Sequence, residues 1–524
     1  TVSPSLGENS LSAMVLAGVI AFALIVVFMT VLYRLPGFLA CIALAGQVAA
    51  TLAFVSGYFP VFESFTLTLP GIAGIILAIG MGVDANVITA ERIKEELKNG
   101  KSLDGALKSG FARGLTPIID GNVTIVIVAI VLMGAFGPSD GLFAKALHFV
   151  FFAFGPSTAG TIYAFGYTLL TGVLLNFVFG VFATRVMIRG AASIKALRNP
   201  WLYGAAKLGK DETEKKQINF VGLRKKFLVF SSCLMAAIVL CAVVFGVHLD
   251  TEFTGGAMIT LSYDGSFEMA QVQQTASDAL ENTGLTLQTG ENVATGDQTL
   301  KISMPGTETV TTDQVEALLG SLNETYPDNN FAQLSLSNVS AAMGTKFLQK
   351  SLVAVVFALV LILLYIALRF KNIGGLTGGM MAVLALVNDL MVVLGTFVLL
   401  RTPLDGNFIA AMLTILGYSI NDTVVVYDRI RENRALMGKK ASFEELVNRS
   451  VNQSARRTLI TTITTVMALG VLCIVAKLYG LDSIFTFAFP LMMGMISGVY
   501  TSLCVSTSAW MLWSERSPKS GKKA

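Results

Sequence analysis

Leu416-Gly417-Tyr418-Ser419-Ile420-Asn421-Asp422-Thr423-Val424 sets a carboxylate inside apolar sequence, and Ile79-Gly80-Met81-Gly82-Val83-Asp84-Ala85-Asn86-Val87 does the same earlier in the chain. Each stretch runs into a charged helix, Asp428-Arg429-Ile430-Arg431-Glu432 after one and Glu91-Arg92-Ile93-Lys94-Glu95 after the other. Aligning the two puts Asp84 opposite Asn421, with Asp422 one residue on. A carboxylate near the bilayer interior costs about 2.5–3.5 kcal/mol on insertion scales, so it usually faces a partner, a cavity or an ion path. Two at nearly matching places make proton or cation coupling the first functional expectation.

The rest of the chain supports a membrane setting. Of 524 residues, 54% are hydrophobic and only 14% charged, the balance of a polytopic membrane protein. Apolar runs long enough to span a bilayer, roughly 17–25 residues, fall near 11–33, 37–57, 68–90, 115–136, 158–188, 220–246, 349–368, 374–400, 407–427, 457–476 and 484–512. The fold class is therefore a polytopic α-helical membrane protein, with five spans in one repeat and six in the other. The expected units are a membrane half over 1–190, a linker over 191–217, one span within 218–249, a soluble domain over 250–346, a second membrane half over 347–514 and a basic tail over 515–524. Thr1 is not an initiator Met and no signal segment precedes the first span, so the odd count is expected to be completed by one more helix at the start.

Lys and Arg fall on alternate connections: Arg34, the Arg92–Arg113 hairpin, Arg185 through Lys226, Arg369 and Lys371, Arg429 through Arg457, and the tail. The positive-inside rule makes these cytoplasmic, leaving 250–346 and the C-terminus on opposite faces, the domain outside and the tail inside. The net charge of +4 follows from that bias and gives no sign of nucleic acid. Cys41, Cys233, Cys241, Cys473 and Cys504 all lie in apolar runs, so no disulfide framework is expected.

The duplication extends past the acidic stretches. Ser102-Leu103-Asp104-Gly105 reads against Ser442-Phe443-Glu444-Glu445, and Asp120-Gly121-Asn122-Val123-Thr124 against Ile460-Thr461-Thr462-Ile463-Thr464. Repeats of like orientation are a common transporter build, with the site near the midplane between the halves. Charge is not copied: Arg457 falls opposite Pro117, and Asp120 opposite Ile460. This complementary asymmetry predicts one shared site. Asp84, Asn86, Asp120 and Asn122 would come from the first half; Asn421, Asp422, Arg457 and a threonine cluster including Thr461 from the second. Asp389, after Asn388 in the run 374–400, adds another carboxylate. Plain alternatives are an Arg457 that snorkels to the headgroups and an Asp422 only about 9 Å inside the charged edge.

Residues 250–346 alternate between strand and helix signals in the order βαββαβ, which suits a ferredoxin-like α+β domain. Strands are expected at Ala257–Tyr263, near Thr286–Gln288, at Leu300–Met304 and at Phe331–Leu336. Ser266 would cap a helix through Leu280, and Thr311 or Thr312 a second through Leu322.

Other motifs fail on context. Gly137-Pro138-Ser139-Asp140-Gly141 matches G-x-S-x-G but joins membrane spans, so it reads as a turn. Asn99-Gly100-Lys101-Ser102 lacks the first glycine of a P-loop, and His148 and His248 are too far apart in sequence for a zinc site. No catalytic, metal or cofactor site is expected, and the chain does not read as an enzyme. A remote alternative, an intramembrane aspartyl protease, needs Gly-x-Gly-Asp, and Gly80-Met81-Gly82-Val83-Asp84 carries one residue too many.

Leu69-Pro70-Gly71-Ile72-Ala73-Gly74, Val83-Asp84-Ala85-Asn86-Val87 and Asp120-Gly121-Asn122-Val123-Thr124 resemble the SecD family, the last with Gly in place of the usual Ala. Phe253-Thr254-Gly255-Gly256, Asn421-Asp422-Thr423 through Glu432, and Arg457-Thr458 resemble SecF. Together they resemble the fused form, SecDF, within the resistance-nodulation-division (RND) superfamily. The resemblance implies an accessory factor in the bacterial cytoplasmic membrane that uses a proton or sodium gradient to drive late steps of protein export. Its implied partners are the SecYEG channel, SecA, YajC, YidC and the exported polypeptide. It also implies that Asp84, Asp422 and Arg457 occupy ion-coupling positions. Two features depart from the family pattern: the apolar segment Lys145–Pro156, and Asn388 where His is more usual. The runner-up, an RND-type exporter of small molecules or lipids, generally carries two much larger external domains.

Overall fold

The structure is a computed structural model that describes residues 8–56, 58, 69–155, 160–204, 218–265, 267–280, 285–292, 297–305, 310–438, 441–479 and 481–516. The expected cap Ser266, Pro156 at the end of the apolar segment, linker positions 205–217, the tail from 517 and Thr1 lie outside these residues.

The first half contains α1 (Glu8–Tyr33), α2 (Leu35–Val55), α3 (Leu69–Gly82), α4 (Asp84–Lys98) and α5 (Leu103–Phe136). Two short helices, α6 (Leu142–Ala146) and α7 (His148–Phe151), precede α8 (Gly160–Asn176), which passes through π-helical Phe177–Ala183 into α9 (Thr184–Ser193). After α10 (Arg224–Phe245) the small domain carries α11 (Thr251–Thr254), β1 (Gly256–Tyr263), α12 (Met269–Ala279), β2 (Thr286–Asn292), β3 (Asp297–Pro305), α13 (Thr312–Thr325) and β4 (Ala332–Val339). The second half continues with α14 (Ala341–Arg369), α15 (Gly375–Leu400), α16 (Gly406–Met437), α17 (Phe443–Leu478), α18 (Asp482–Tyr500) and α19 (Thr507–Arg516).

Among the described residues, 11 helical stretches are long and apolar enough to cross a membrane, one of them α3 and α4 together. Several outrun the apolar runs read from sequence, because hydropathy marks only the part matched to lipid. α5 starts at Leu103 rather than 115, α16 continues to Met437, and α17 starts at Phe443 rather than 457. The polar extensions stay helical through local support. The Ser102 and Ser442 hydroxyls cap α5 and α17 by accepting from Gly105 N at 3.3 Å and Glu445 N at 3.2 Å. Arg92–Glu95 at 3.0 Å and Arg429–Glu432 at 2.7 Å are pairs three residues apart on one helix face. The cap serines are themselves matched positions of the duplication.

The chain's G-x-S-x-G segment is a turn, closed by Gly141 N donating to Pro138 O at 3.0 Å between α5 and α6. The five cysteines are free.

The small domain folds as βαββαβ, with a four-stranded sheet in the order β2-β3-β1-β4 and every paired neighbour antiparallel. β1 alternates, sending Ala257, Ile259 and Leu261 into a core with Val272, Leu300, Ile302, Val315 and Leu318. Thr311 closes a capping box with Gln314 at the start of α13. This core is separate from the membrane core, so the domain is a satellite fold on the helical body.

The satellite is tied to α16. Leu249 pairs with Leu404 in a parallel bridge, Asp250 N donates to Leu404 O at 2.9 Å, and Glu252 Oε2 accepts from Gly406 N at 2.8 Å. Asp405 caps α16 by accepting from Phe408 N at 3.1 Å. Burial, then the neighbouring Glu252 charge, pushes the Asp405 carboxyl up to about 7, and burial also raises Glu252.

Candidate functional site at the seam between halves

The seam is built by α5 packing against α16 and by α3 packing against α17. Close approach needs small residues: a Cβ on Gly80 would stand 3.0 Å from Thr465 Cα. At the charged end the contacts exchange between halves. Arg92 Nη2 meets Glu432 at 2.8 Å, and Arg429 Nη2 meets Glu95 at 2.6 Å. Arg92 and Arg429, like Glu95 and Glu432, are matched positions of the duplication, so this part of the seam obeys a pseudo-two-fold axis.

Deeper in, the symmetry breaks at the carboxylate. The helix is interrupted at Val83, which makes Asp84 the first residue of α4, where a negative charge is favoured by the helix dipole. Asn421 Nδ2 donates to Asp84 Oδ2 at 3.1 Å, and Arg457 Nη2 donates to Asp84 Oδ1 at 3.1 Å. Both oxygens of a first-half acid are thus held by second-half donors. Arg457 is only 7% exposed, so it turns inward to this carboxylate rather than snorkelling out. Gly121 makes room for the arrangement: a Cβ there would fall 1.7 Å from Asn421 Oδ1.

Two cavities flank the ion pair. One of ≈ 50 Å³ is lined by Asp84, Asn122, Asn421, Asp422, Thr461 and Thr465 among others, with space for a few waters at about 10–15 Å³ each. The other, of ≈ 60 Å³, is lined by Glu91, Arg92, Glu95, Asp428, Arg429 and Arg457 among others. Asp84 faces the first and Arg457 the second, so the pair forms the partition between a polar chamber and a charged vestibule.

The remaining expected residues do not converge here. Asp120 is buried on α5 but turns to α14, where Arg369 Nε donates to its Oδ1 at 2.8 Å and Tyr365 Oη at 3.2 Å. Its Oδ2 has no hydrogen-bond partner. Asp389 is fully buried among hydroxyls: Ser419 donates at 2.5 Å, Ser497 at 2.6 Å and Thr501 at 2.8 Å. Asn388 bonds Ser231 and Ser497 beside it. Thr501 opens a π-helical stretch, Thr501–Ser506, that follows α18, an irregularity often found at functional positions. Asn86 is buried behind the site and donates to Gly82 O at 3.5 Å. The single site expected from sequence is thus three polar clusters: Asp84 with Asn421 and Arg457 at the chamber, Asp120 with Arg369, and Asp389 with its hydroxyls. Helix rotation turns Asp120 toward α14 while its neighbour Gly121 packs under Asn421, a difference that a linear register cannot show.

Sequence reading missed Tyr365, Arg369, Ser419, Ser497 and Thr501. Arg369 read as a connection residue, and only its spacing of four from Tyr365, one helical turn, could have joined the two.

The family described as "Protein export membrane protein SecD/SecF, C-terminal" matches residues 1–165 and 319–516. The chain is 31% identical to protein translocase subunit SecDF of Bacillus subtilis (strain 168), over 99% of its own length and 66% of that protein's. A crystal structure of SecDF from Thermus thermophilus, described as a translocon-associated membrane protein, aligns with a TM-score of 0.79 at 27% identity, over 98% of this chain and 64% of that one. The chain therefore spans just under two thirds of each. The hedgehog release protein Disp of the water bear Hypsibius dujardini shares the fold at a TM-score of 0.55 and 12% identity, over 96% of this chain and 71% of that one. With the family matched over both helical halves and the helical stretches in place, this multi-pass membrane protein belongs to the SecD/SecF family of protein export membrane proteins.

Proposed function

We propose that this chain is the membrane part of an export factor that converts an ion gradient, of H⁺ or Na⁺, into work on a polypeptide leaving the Sec translocon. The observation that carries the reading is the Asp84–Arg457 pair at 3.1 Å, shared between halves and standing between two polar cavities. An ion that reaches Asp84 from the chamber competes with Arg457 for the same carboxylate. Neutralising Asp84 releases Arg457 and Asn421 together, and with them the main polar tie at this depth between α4 and helices α16 and α17. Restoring the charge draws the halves back. Asp422, on the chamber wall, is the second acid available to the ion.

The positive-inside bias supports a reading with the vestibule toward the cytoplasm and the small domain on the external face of the bacterial cytoplasmic membrane. SecYEG and SecA are the partners this reading requires, with YajC and YidC as further members of the assembly. No catalytic chemistry is assigned to the chain. The test is export of a secretory precursor into vesicles under imposed proton or sodium gradients, with the chain in its full-length protein. Asp84→Asn, Asp422→Asn and Arg457→Met should each leave a folded protein with slowed gradient-dependent export. Unchanged export in all three would sink the reading.

A further inference from the structure

Residues 142–154, between α5 and α8, are too apolar for a water-exposed loop and lie against two candidate membrane spans. α6 and α7 pack into the groove between α5 and α14, that is, between the two halves. A Cβ on Gly134 of α5 would meet Leu147 Cδ1 at 2.6 Å and the Phe143 carbonyl at 3.0 Å. On the other wall, the rings of Phe149 and Phe151 both lie 6.3 Å from that of Phe357, edge to face. Phe357 is two helical turns past Lys350 in α14, about 10 Å of rise into the apolar part of that span. Lys350 in turn donates to Gly155 O at 3.3 Å, closing the segment's far end.

The outward side of the same segment is apolar. Leu142, Phe149 and Phe152 are 76%, 70% and 66% exposed, beside exposed Lys145 and His148. The Phe149–Phe357 ring contact sets this side against α14, whose Leu352, Val356 and Val360 are exposed, as on a face that a membrane span presents to acyl chains. Part of the backbone is satisfied locally, in the way hydrocarbon favours: Lys145 N donates to Gly141 O, Leu147 N to Phe143 O, and Val150 N and Phe151 N to Leu147 O.

We propose that residues 142–154 form a re-entrant membrane element that enters the bilayer from the small-domain side and seals the groove between α5 and α14. Its Leu142, Phe149 and Phe152 side chains lie in phospholipid acyl chains, while Lys145 and His148 reach the headgroup level. The occupant of this face is lipid, because the face packs against α14, a candidate membrane span whose exposed apolar side lipid must cover.

The test places a nitroxide at Phe149→Cys or Phe152→Cys in the full chain, with the five native cysteines replaced by alanine, in phosphatidylcholine vesicles. Leu364→Cys on the exposed flank of α14 is the lipid reference, and Glu316→Cys on the exposed side of α13 the water reference. Labels at 149 and 152 should collide more often with dissolved oxygen than with a water-soluble nickel chelate, as at 364. A nickel preference like that at 316 overturns the proposal, and so does dipolar broadening between labels, which would put a second copy on this face. Phe152→Trp in the otherwise unaltered chain gives a second reading. Bromine-labelled lipids should quench its added emission, and quenching by aqueous iodide instead would also overturn the assignment.

Discussion

Arg457 and Asp84 lie far apart in sequence, on α17 and α4, yet their side chains meet at 3.1 Å where the two halves of the membrane body touch. Each is mostly shielded from solvent, with side chains 9% and 19% exposed. Removing one partner of such a pair strands the other charge, which costs far more than losing the attraction itself.

Arg457→Met should therefore destabilise the protein by on the order of 3 kcal/mol, and adding Asp84→Asn should recover part of that loss. Unfolding of the purified single and double variants in detergent checks this. Additive destabilisation would show that the two groups do not form a coupled pair.

Gly121→Ala tests the space under Asn421. The added methyl would sit 1.7 Å from Asn421 Oδ1, and the side chain must swing away from Asp84. The expected outcome is a folded protein with reduced gradient-dependent export. Asn421→Ala in the Gly121→Ala background should add little, since the bond to Asp84 is already lost. A large further loss would mean that Asn421 acts elsewhere.

Thr501→Val removes a hydroxyl that lies 3.0 and 2.8 Å from the two Asp389 oxygens. Leaving a buried acceptor short of its partner costs about 1–3 kcal/mol, so unfolding in detergent should register a loss of that size. A change below about 0.5 kcal/mol, the range of ordinary surface substitutions, would contradict the assignment of Thr501 to Asp389.

Asp405 gives the junction between the small domain and α16 a pH dependence. Its folded carboxyl titrates near 7 because it is buried beside Glu252, while the unfolded group titrates near the usual ~3.9. Between these values the folded state binds the extra proton, so junction stability falls as pH rises from about 4 to about 7 and then levels. Amide exchange over 406–408, corrected for intrinsic rate, should follow that course. Asp405→Asn keeps an oxygen that can accept from Phe408 N and should reduce the slope to the share that Glu252, also raised by burial, contributes; an unchanged slope would assign the titration to another group.

The extent of what the chain announces differs by feature. Apolar run length and Lys/Arg placement are local properties, and they gave eleven spans and the alternation of charged connections. The duplication gave more: its register set Arg92 against Arg429 and Glu95 against Glu432, the four residues that exchange ion pairs across the seam. The ferredoxin-like strand order was legible because alternation and Thr311 capping are readable within a few residues.

Pairing across the membrane was not legible to that depth. Asp84 and Asp120 look alike in sequence, both acids in apolar helix, and a linear register assigns both to one site. Tertiary packing gave Asp84 the chamber and Arg457, and sent Asp120 to Arg369 on α14. A linear pattern tells which residues must find a partner in a low-dielectric interior, because an unpaired charge there is costly. Which partner each one finds depends on helix rotation and crossing, set by contacts such as Gly80 on Thr465 and Gly121 under Asn421, which join residues hundreds of positions apart.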